Sequence, residues 1–150
     1  MPQSLSALHV HIVFSTKDRV PFLTSESLPT AHAYIARILQ NLGCEQPIVG
    51  GVADHVHIIC NMPRTISAAD LLMTTKKDSS KFIKTLHGSL RDFHWQTGYG
   101  IFAVSADHLP MVREYVRSQE MHHKVETFQD EFRRLLREAG LDFDEKYVWD

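Results

Sequence analysis

The sequence predicts an α+β fold in which an antiparallel sheet carries helices on one face and further helices follow it. Three observations predict this. One segment near the N-terminus alternates apolar and polar side chains, the spacing of a half-buried strand, and two later runs are rich in Val and Ile. Other segments repeat apolar residues at helical spacing and end on glycine. The elements fall in the order β-α-β-β-α-β-α-α, whose first six members form a split β-α-β-β-α-β unit, the ferredoxin-like arrangement.

Each element has its own signal. Leu8, Val10, Ile12 and Phe14 alternate with His9, His11, Val13 and Ser15, which predicts the first strand. Ile35, Ile38, Leu39 and Leu42 recur as on one helix face, so a helix is expected from Glu26 to Leu42, stopped by Gly43. Two strands follow, Pro47 to Val52 and His55 to Met62, joined by a short turn at Ala53-Asp54. The second helix is expected to start after Thr65 or Ser67, with Ser67 as cap and Asp70 placed for a capping box, and to run as far as Leu90 with a break near Asp78-Ser79-Ser80. Trp95 to Gly100 reads as a turn and Ile101 to Ser105 as the last strand. Asp107 is expected to cap a third helix reaching Lys124, with Pro110 tolerated in its first turn. Phe128 to Ala139 reads as a fourth, amphipathic helix ended by Gly140. No linker, repeat or low-complexity stretch divides the chain, so one domain over residues 1–150 is expected.

Composition narrows the function classes. The 43% hydrophobic and 23% charged content is ordinary for a soluble protein. No apolar run approaches the roughly 18 residues of a membrane span, and no signal-peptide pattern opens the chain, so a cytoplasmic location away from any membrane is expected. Cys44 and Cys60 lack the spacing of a disulfide framework or a zinc site and are expected to be reduced and buried. The net charge of −2 disfavours a nucleic-acid partner, but its distribution does not. Residues 126–150 hold eight acids and four bases, which leaves +2 on the remaining 125. Within 76–91, Lys76, Lys77, Lys81, Lys84 and Arg91 face one acid, Asp78. Such a stripe can hold a phosphate backbone; the alternative is a solvated helix face.

Two motifs point to chemistry. In a strand, His55 and His57 project from the same face and offer two imidazoles side by side. In a helix, Tyr115 and Gln119 are neighbours four residues apart. Two imidazoles, a carboxamide and a phenol suit the holding of a divalent cation against a phosphodiester and its attack by the tyrosine oxygen. Such a set accepts Mg²⁺ or Mn²⁺, whereas zinc is less expected without a third His, a carboxylate or a thiolate at a convincing spacing. The competing readings are structural. A tyrosine on an amphipathic helix is commonly a packed aromatic, and His9-Val10-His11 repeats the His-x-His pattern. Gly50-Gly51-Val52-Ala53-Asp54 prepares the second triplet and not the first. In a split sheet the first and third strands are neighbours, so His9 or His11 is expected beside the site without being a ligand.

The strings Gly51-Val52-Ala53-Asp54-His55-Val56-His57-Ile58-Ile59, Trp95-Gln96-Thr97-Gly98-Tyr99-Gly100-Ile101-Phe102-Ala103-Val104-Ser105 and Tyr115-Val116-Arg117-Ser118-Gln119-Glu120-Met121-His122-His123 carry a resemblance. Together with Phe128-Gln129-Asp130-Glu131-Phe132, they resemble the single-tyrosine HUH transposases of the smallest bacterial insertion sequences, the insertion-sequence-200-like family, to which REP-associated tyrosine transposases are related. The resemblance spans nearly the whole chain in order. It implies a ferredoxin-like fold, a homodimer, and a single-stranded DNA substrate with hairpin-forming element ends. It implies His55, His57 and Gln119 as metal ligands and Tyr115 as the nucleophile. The overall acidity and the lack of a long basic tail depart from longer relatives and leave open a domesticated enzyme acting on repeated palindromes.

The reaction implied is strand transfer through a 5′-phosphotyrosine, which retains the bond energy for rejoining, where hydrolysis would end with the cut. A water-using nuclease and a non-catalytic nucleic-acid binder on the same fold are the alternatives. Binders of the second kind display stacking aromatics where this sheet offers His, Val and Ile. The resemblance, together with the need for two cuts from chains that each offer one nucleophile, implies a homodimer with composite sites, the His pair of one subunit meeting Tyr115 of the other, with the first strand and Ile101 to Ser105 as candidate pairing edges.

Overall fold

The computed structural model describes residues 2–150. Four strands, β1 (His9–Ser15), β2 (Glu45–Val52), β3 (His55–Asn61) and β4 (Gly100–Ala103), form one antiparallel sheet in the order β2-β3-β1-β4. Helices α1 (Ser27–Asn41) and α2 (Ala68–Ile83) complete the β-α-β-β-α-β unit. Three helices follow: α3 (Leu109–Arg117), α4 (Gln119–His122) and α5 (Phe128–Glu138).

Period-two alternation divides the sheet into two chemically different faces. On one, Ile12 and Phe14 of β1 and Val56, Ile58 and Cys60 of β3 pack on Ile35 and Leu39 of α1 and Leu71, Leu72 and Ile83 of α2. Burying each such large side chain contributes roughly 1.5–3 kcal/mol, so this face is the main anchor of the fold. On the other, Val13 meets Phe128, Phe132 and Leu136, and Ile59 meets Leu109 and Val116. The C-terminal helices therefore cover the face onto which His11, His55 and His57 project. Gly50 permits the close approach: a Cβ there would stand 1.9 Å from the Val116 carbonyl oxygen, so β2 touches α3 backbone to backbone.

Several boundaries differ from expectation for local reasons. The capping hydroxyl of Ser67 accepts from the Asp70 amide at 3.1 Å, as expected. Ser79 does not break α2: its hydroxyl donates back to the Thr75 carbonyl at 2.6 Å and accepts from the Trp95 indole at 2.9 Å. The helix ends instead at Ile83, where the Thr85 hydroxyl turns back to the Phe82 carbonyl. The expected third helix divides at Ser118, whose hydroxyl bonds the Glu114 carbonyl at 2.8 Å beside its own amide at 3.0 Å. Its cap is not Asp107, which lies in a 3-10 turn over Ala106–His108. β1 lies between β3 and β4, so it has no free edge for pairing with a second chain; β2 and β4 are the edges.

Candidate active site

The turn at Ala53-Asp54 brings β3 back along β2 and delivers His55 and His57 to the covered face, both fully buried. From α5, Glu131 enters between them, also with no exposure. Its Oε1 lies 2.8 Å from His57 Nε2, 3.2 Å from His123 Nε2 and 3.6 Å from His55 Nε2. One donor atom from each of His55, His57, His123 and Glu131 falls within 4.8 Å of the others, a cluster able to hold a divalent cation. His123 supplies a third imidazole and Glu131 a carboxylate, so the expectation that zinc lacked such ligands is corrected.

The imidazoles are oriented from behind. His55 Nδ1 lies 2.7 Å from Asp54 Oδ1, and a carboxylate only accepts, so Nδ1 carries a proton, and in the neutral ring the lone pair is on Nε2. That Nε2 is buried without a hydrogen-bond partner, the condition of an atom fitted for a cation. His57 Nδ1 lies 2.8 Å from His11 Nε2, and the two rings stack at 5.0 Å. β1 pairs with β3, which sets His11 beside His57 as expected, and His11 acts on the cluster through that ring. Burial pulls His57 down to about 4, opposed by its bond to Glu131, and pulls His11 down to about 3, helped by His57. Both are neutral at pH 7, as a ligand and its support must be. Burial would raise the Glu131 carboxyl, but bonds from His123, His57 and Tyr115 hold it well below the usual carboxylate range.

Tyr115 reaches the same carboxylate. Its hydroxyl donates to Glu131 Oε2, and Arg134 Nη2 donates to the phenol oxygen at 2.9 Å. Burial and the Glu131 contact push the phenol above its ordinary value, while Arg134 works the other way. Gln119, almost fully buried, reaches the cluster through its neighbours: Oε1 meets His123 Nε2 at 3.0 Å and Nε2 donates to the Tyr115 carbonyl at 2.9 Å. Tyr115 thus stands against the His pair of its own chain, its ring centroid 5.7 Å from that of His57. A groove of about 490 Å³, lined in part by His11, Phe102 and Leu135, opens beside the cluster.

The basic run sits elsewhere, on α2 and the loop after it, across the sheet from the histidines. Lys77, Lys81 and Arg91 are exposed and Lys84 is half-buried. Lys76, expected with them as a phosphate contact, is engaged within its own chain. Its ammonium donates to the carbonyls of Gln96, Thr97 and Gly98 at 2.6–3.1 Å and lies over the Phe14 and Tyr99 rings. Those three bonds use every donor it has, and burial draws it down to about 8.

His123, Glu131 and Arg134 were not among the expected site residues. Glu131 had a signal: it stands in the apolar stripe of α5 with Phe128, Phe132 and Leu135, where an acid needs a partner.

Comparison with known proteins agrees with this architecture. No curated protein matches the chain. Among solved structures, a candidate transposase from Deinococcus radiodurans R1 superimposes with a TM-score of 0.64 at 18% identity, covering 77% of this chain and 95% of the other. A REP-associated tyrosine transposase bound to a REP hairpin gives a TM-score of 0.55 at 13% identity, covering 77% of this chain and 68% of that one. These identities establish likeness of fold. The sequence pattern of the family described as "Transposase IS200 like" matches residues 4–119, most of the chain and both motifs singled out above. The chain belongs to the IS200-like transposase family.

Proposed function

We propose that this protein cleaves and rejoins single-stranded DNA at the ends of an insertion element, with Tyr115 as the nucleophile. The observation that supports this best is the shared carboxylate: Glu131 accepts the Tyr115 hydroxyl on one oxygen and faces three imidazoles with the other. A nucleophile and a cation site joined by one side chain suit phosphodiester attack.

The proposed ligands are His55 and His57, completed by Gln119 or by the His123 and Glu131 that accompany it, and the proposed cation is Mn²⁺ or Mg²⁺. When bound, the cation would polarise the scissile phosphate and offset charge gathering at phosphorus. Asp54 and His11 keep the two imidazoles turned so that Nε2 faces inward. Glu131 orients the phenol hydrogen away from the lone pair that attacks. That attack forms the Tyr115 oxygen–phosphorus bond and releases a 3′-hydroxyl, leaving a 5′-phosphotyrosine. A second 3′-hydroxyl can reverse the step without ATP. Lys77, Lys81, Lys84 and Arg91 are proposed to contact backbone phosphates of the DNA. Two cuts release an element and each chain offers one such nucleophile, so a homodimer is proposed, each subunit using its own tyrosine.

The test is to incubate the protein with single-stranded DNA from the flanks of its own gene and Mn²⁺. A protein–DNA adduct that survives denaturing detergent is expected, lost with chelator and in Tyr115→Phe. Cleaved DNA without an adduct would mean a water-using nuclease. An adduct in Tyr115→Phe would move the nucleophile to another tyrosine. Tyr34 is a poor substitute, since it stacks on Phe82 at 3.8 Å on the far side of the sheet.

A second reading, a domesticated enzyme acting on repeated palindromes, is favoured by the likeness of fold to a transposase bound to a REP hairpin. Preferential cutting beside a genomic palindromic repeat, with the gene's own flanks left intact, would select it.

A further inference from the structure

Resting on the proposed role of Tyr115, we propose that Arg134 is a further catalytic residue, binding the tyrosine oxygen whenever that atom carries negative charge and aimed there by Glu126. Arg134 lies on α5, outside residues 4–119 that match the family. Its Nη2 is 2.9 Å from the Tyr115 oxygen and 3.0 Å from Glu126 Oε1, while its Nε is 3.2 Å from Glu126 Oε2. The two contacts to one carboxylate fix the plane of the guanidinium, and the fork then points one N–H at the phenol. Among the described residues no other cationic side chain hydrogen-bonds that oxygen. The phenol gives its hydrogen to Glu131 and one lone pair to Arg134, which leaves the second lone pair for phosphorus.

The arrangement acts in both directions of the reaction. In cleavage, the phenol proton passes by way of its hydrogen bond to Glu131 into solvent as the oxygen–phosphorus bond forms, and the 3′-oxygen leaves with its bonding pair and takes up one proton from solvent, so the protons balance. In rejoining, a 3′-hydroxyl gives its proton to solvent as it attacks phosphorus, and the tyrosine oxygen leaves with the bonding pair and takes one proton back. Arg134 faces the charged oxygen in each case without changing the balance between the two states. A fixed positive fork at such a position requires no reorganisation when charge develops. The guanidinium is about one-third exposed, so a phosphate can approach past it.

The test compares single-turnover cleavage and rejoining of an isolated adduct in Arg134→Ala, Arg134→Lys and the unaltered chain. Loss of one such donor lowers a rate on the order of 100-fold, so Arg134→Ala should slow both directions by about that shared factor. DNA affinity and the ratio of cleaved to rejoined strand should not move. Arg134→Lys should fall between, since it keeps the charge and loses the fork, and added ethylguanidinium should restore part of both rates to the alanine variant. Glu126→Gln should give a smaller loss of the same kind. Unchanged rates in Arg134→Ala, or weakened DNA binding with normal rates once bound, would overturn the assignment. If the alanine variant does not fold, the lysine variant decides on the same two rates. An unaltered chain that forms no adduct would sink the proposed function and this inference together; an adduct with unchanged variants would sink this inference alone.

Discussion

Replacing Glu131 with alanine tests whether the centre of the site stabilises the metal-free fold or burdens it. Burying a carboxylate costs several kcal/mol, so a poorly matched one would leave the variant more stable than the parent. Here the carboxylate is fully buried and accepts from His57 and Tyr115 at its two oxygens. Its removal strands a buried imidazole donor and a part-buried phenol donor at roughly 1–3 kcal/mol each, about 4 kcal/mol in all, before any cost of the cavity. For a chain of this size about 1 kcal/mol moves Tm by roughly 2–4 °C, so a fall of about 8–16 °C is expected. The assay is thermal unfolding by circular dichroism in chelator at pH 7, with Tyr115→Phe as a control that removes only one of the two donors. An unchanged or raised Tm would refute the reasoning and mean that the carboxylate is tolerated in the metal-free protein and does not hold it together.

Other consequences follow from single contacts. Gly50→Ala drives a Cβ into the Val116 carbonyl and should lift α3 from β2, costing at least ~1–3 kcal/mol and lowering cleavage with it; melts and adduct yield check this. His11→Ala and Asp54→Asn should each weaken Mn²⁺ binding by about 10–100-fold, while His57→Ala should abolish it, as isothermal titration would read. His32 gives a pH signature away from the site. Burial lowers it to about 4 from 6.5, so between those values the unfolded chain binds the extra proton and stability falls as the solution is acidified. At pH 5 the loss is about 2 kcal/mol relative to pH 7, and His32→Gln should remove that part of the acid sensitivity in denaturant titrations.

The strands and the His55-His57 pair were legible because each rests on local periodicity. Alternation places His11 and His57 on one face, and split-sheet topology makes β1 and β3 neighbours, so even their contact could be anticipated. Less legible was everything that depends on how α3, α4 and α5 dock. The helix divides at Ser118, whose hydroxyl and amide both bond the Glu114 carbonyl, and no change of apolar spacing announces that break. Gln119 and His123 lie beyond it, and His123 joins the cluster. Glu131 and Arg134 stand more than seventy residues from the His pair, and no spacing rule links them. The acid in the apolar stripe of α5 marked where to look without saying what it would meet. The bonds of Lys76 were hidden for a related reason: its three carbonyl partners come from residues 96–98, a turn some twenty positions away.

The central claim is that the Tyr115 oxygen becomes the covalent link to DNA, and peptide mapping of the adduct tests it most directly. After cleavage of single-stranded flanking DNA with Mn²⁺, nuclease trimming and tryptic digestion, the short peptide Glu114-Tyr115-Val116-Arg117 should carry the added mass of a 5′-linked nucleotide on its tyrosine. The same nucleotide on a peptide containing Tyr34, Tyr99 or Tyr147, or cut DNA with every tyrosine peptide unmodified, would contradict the account.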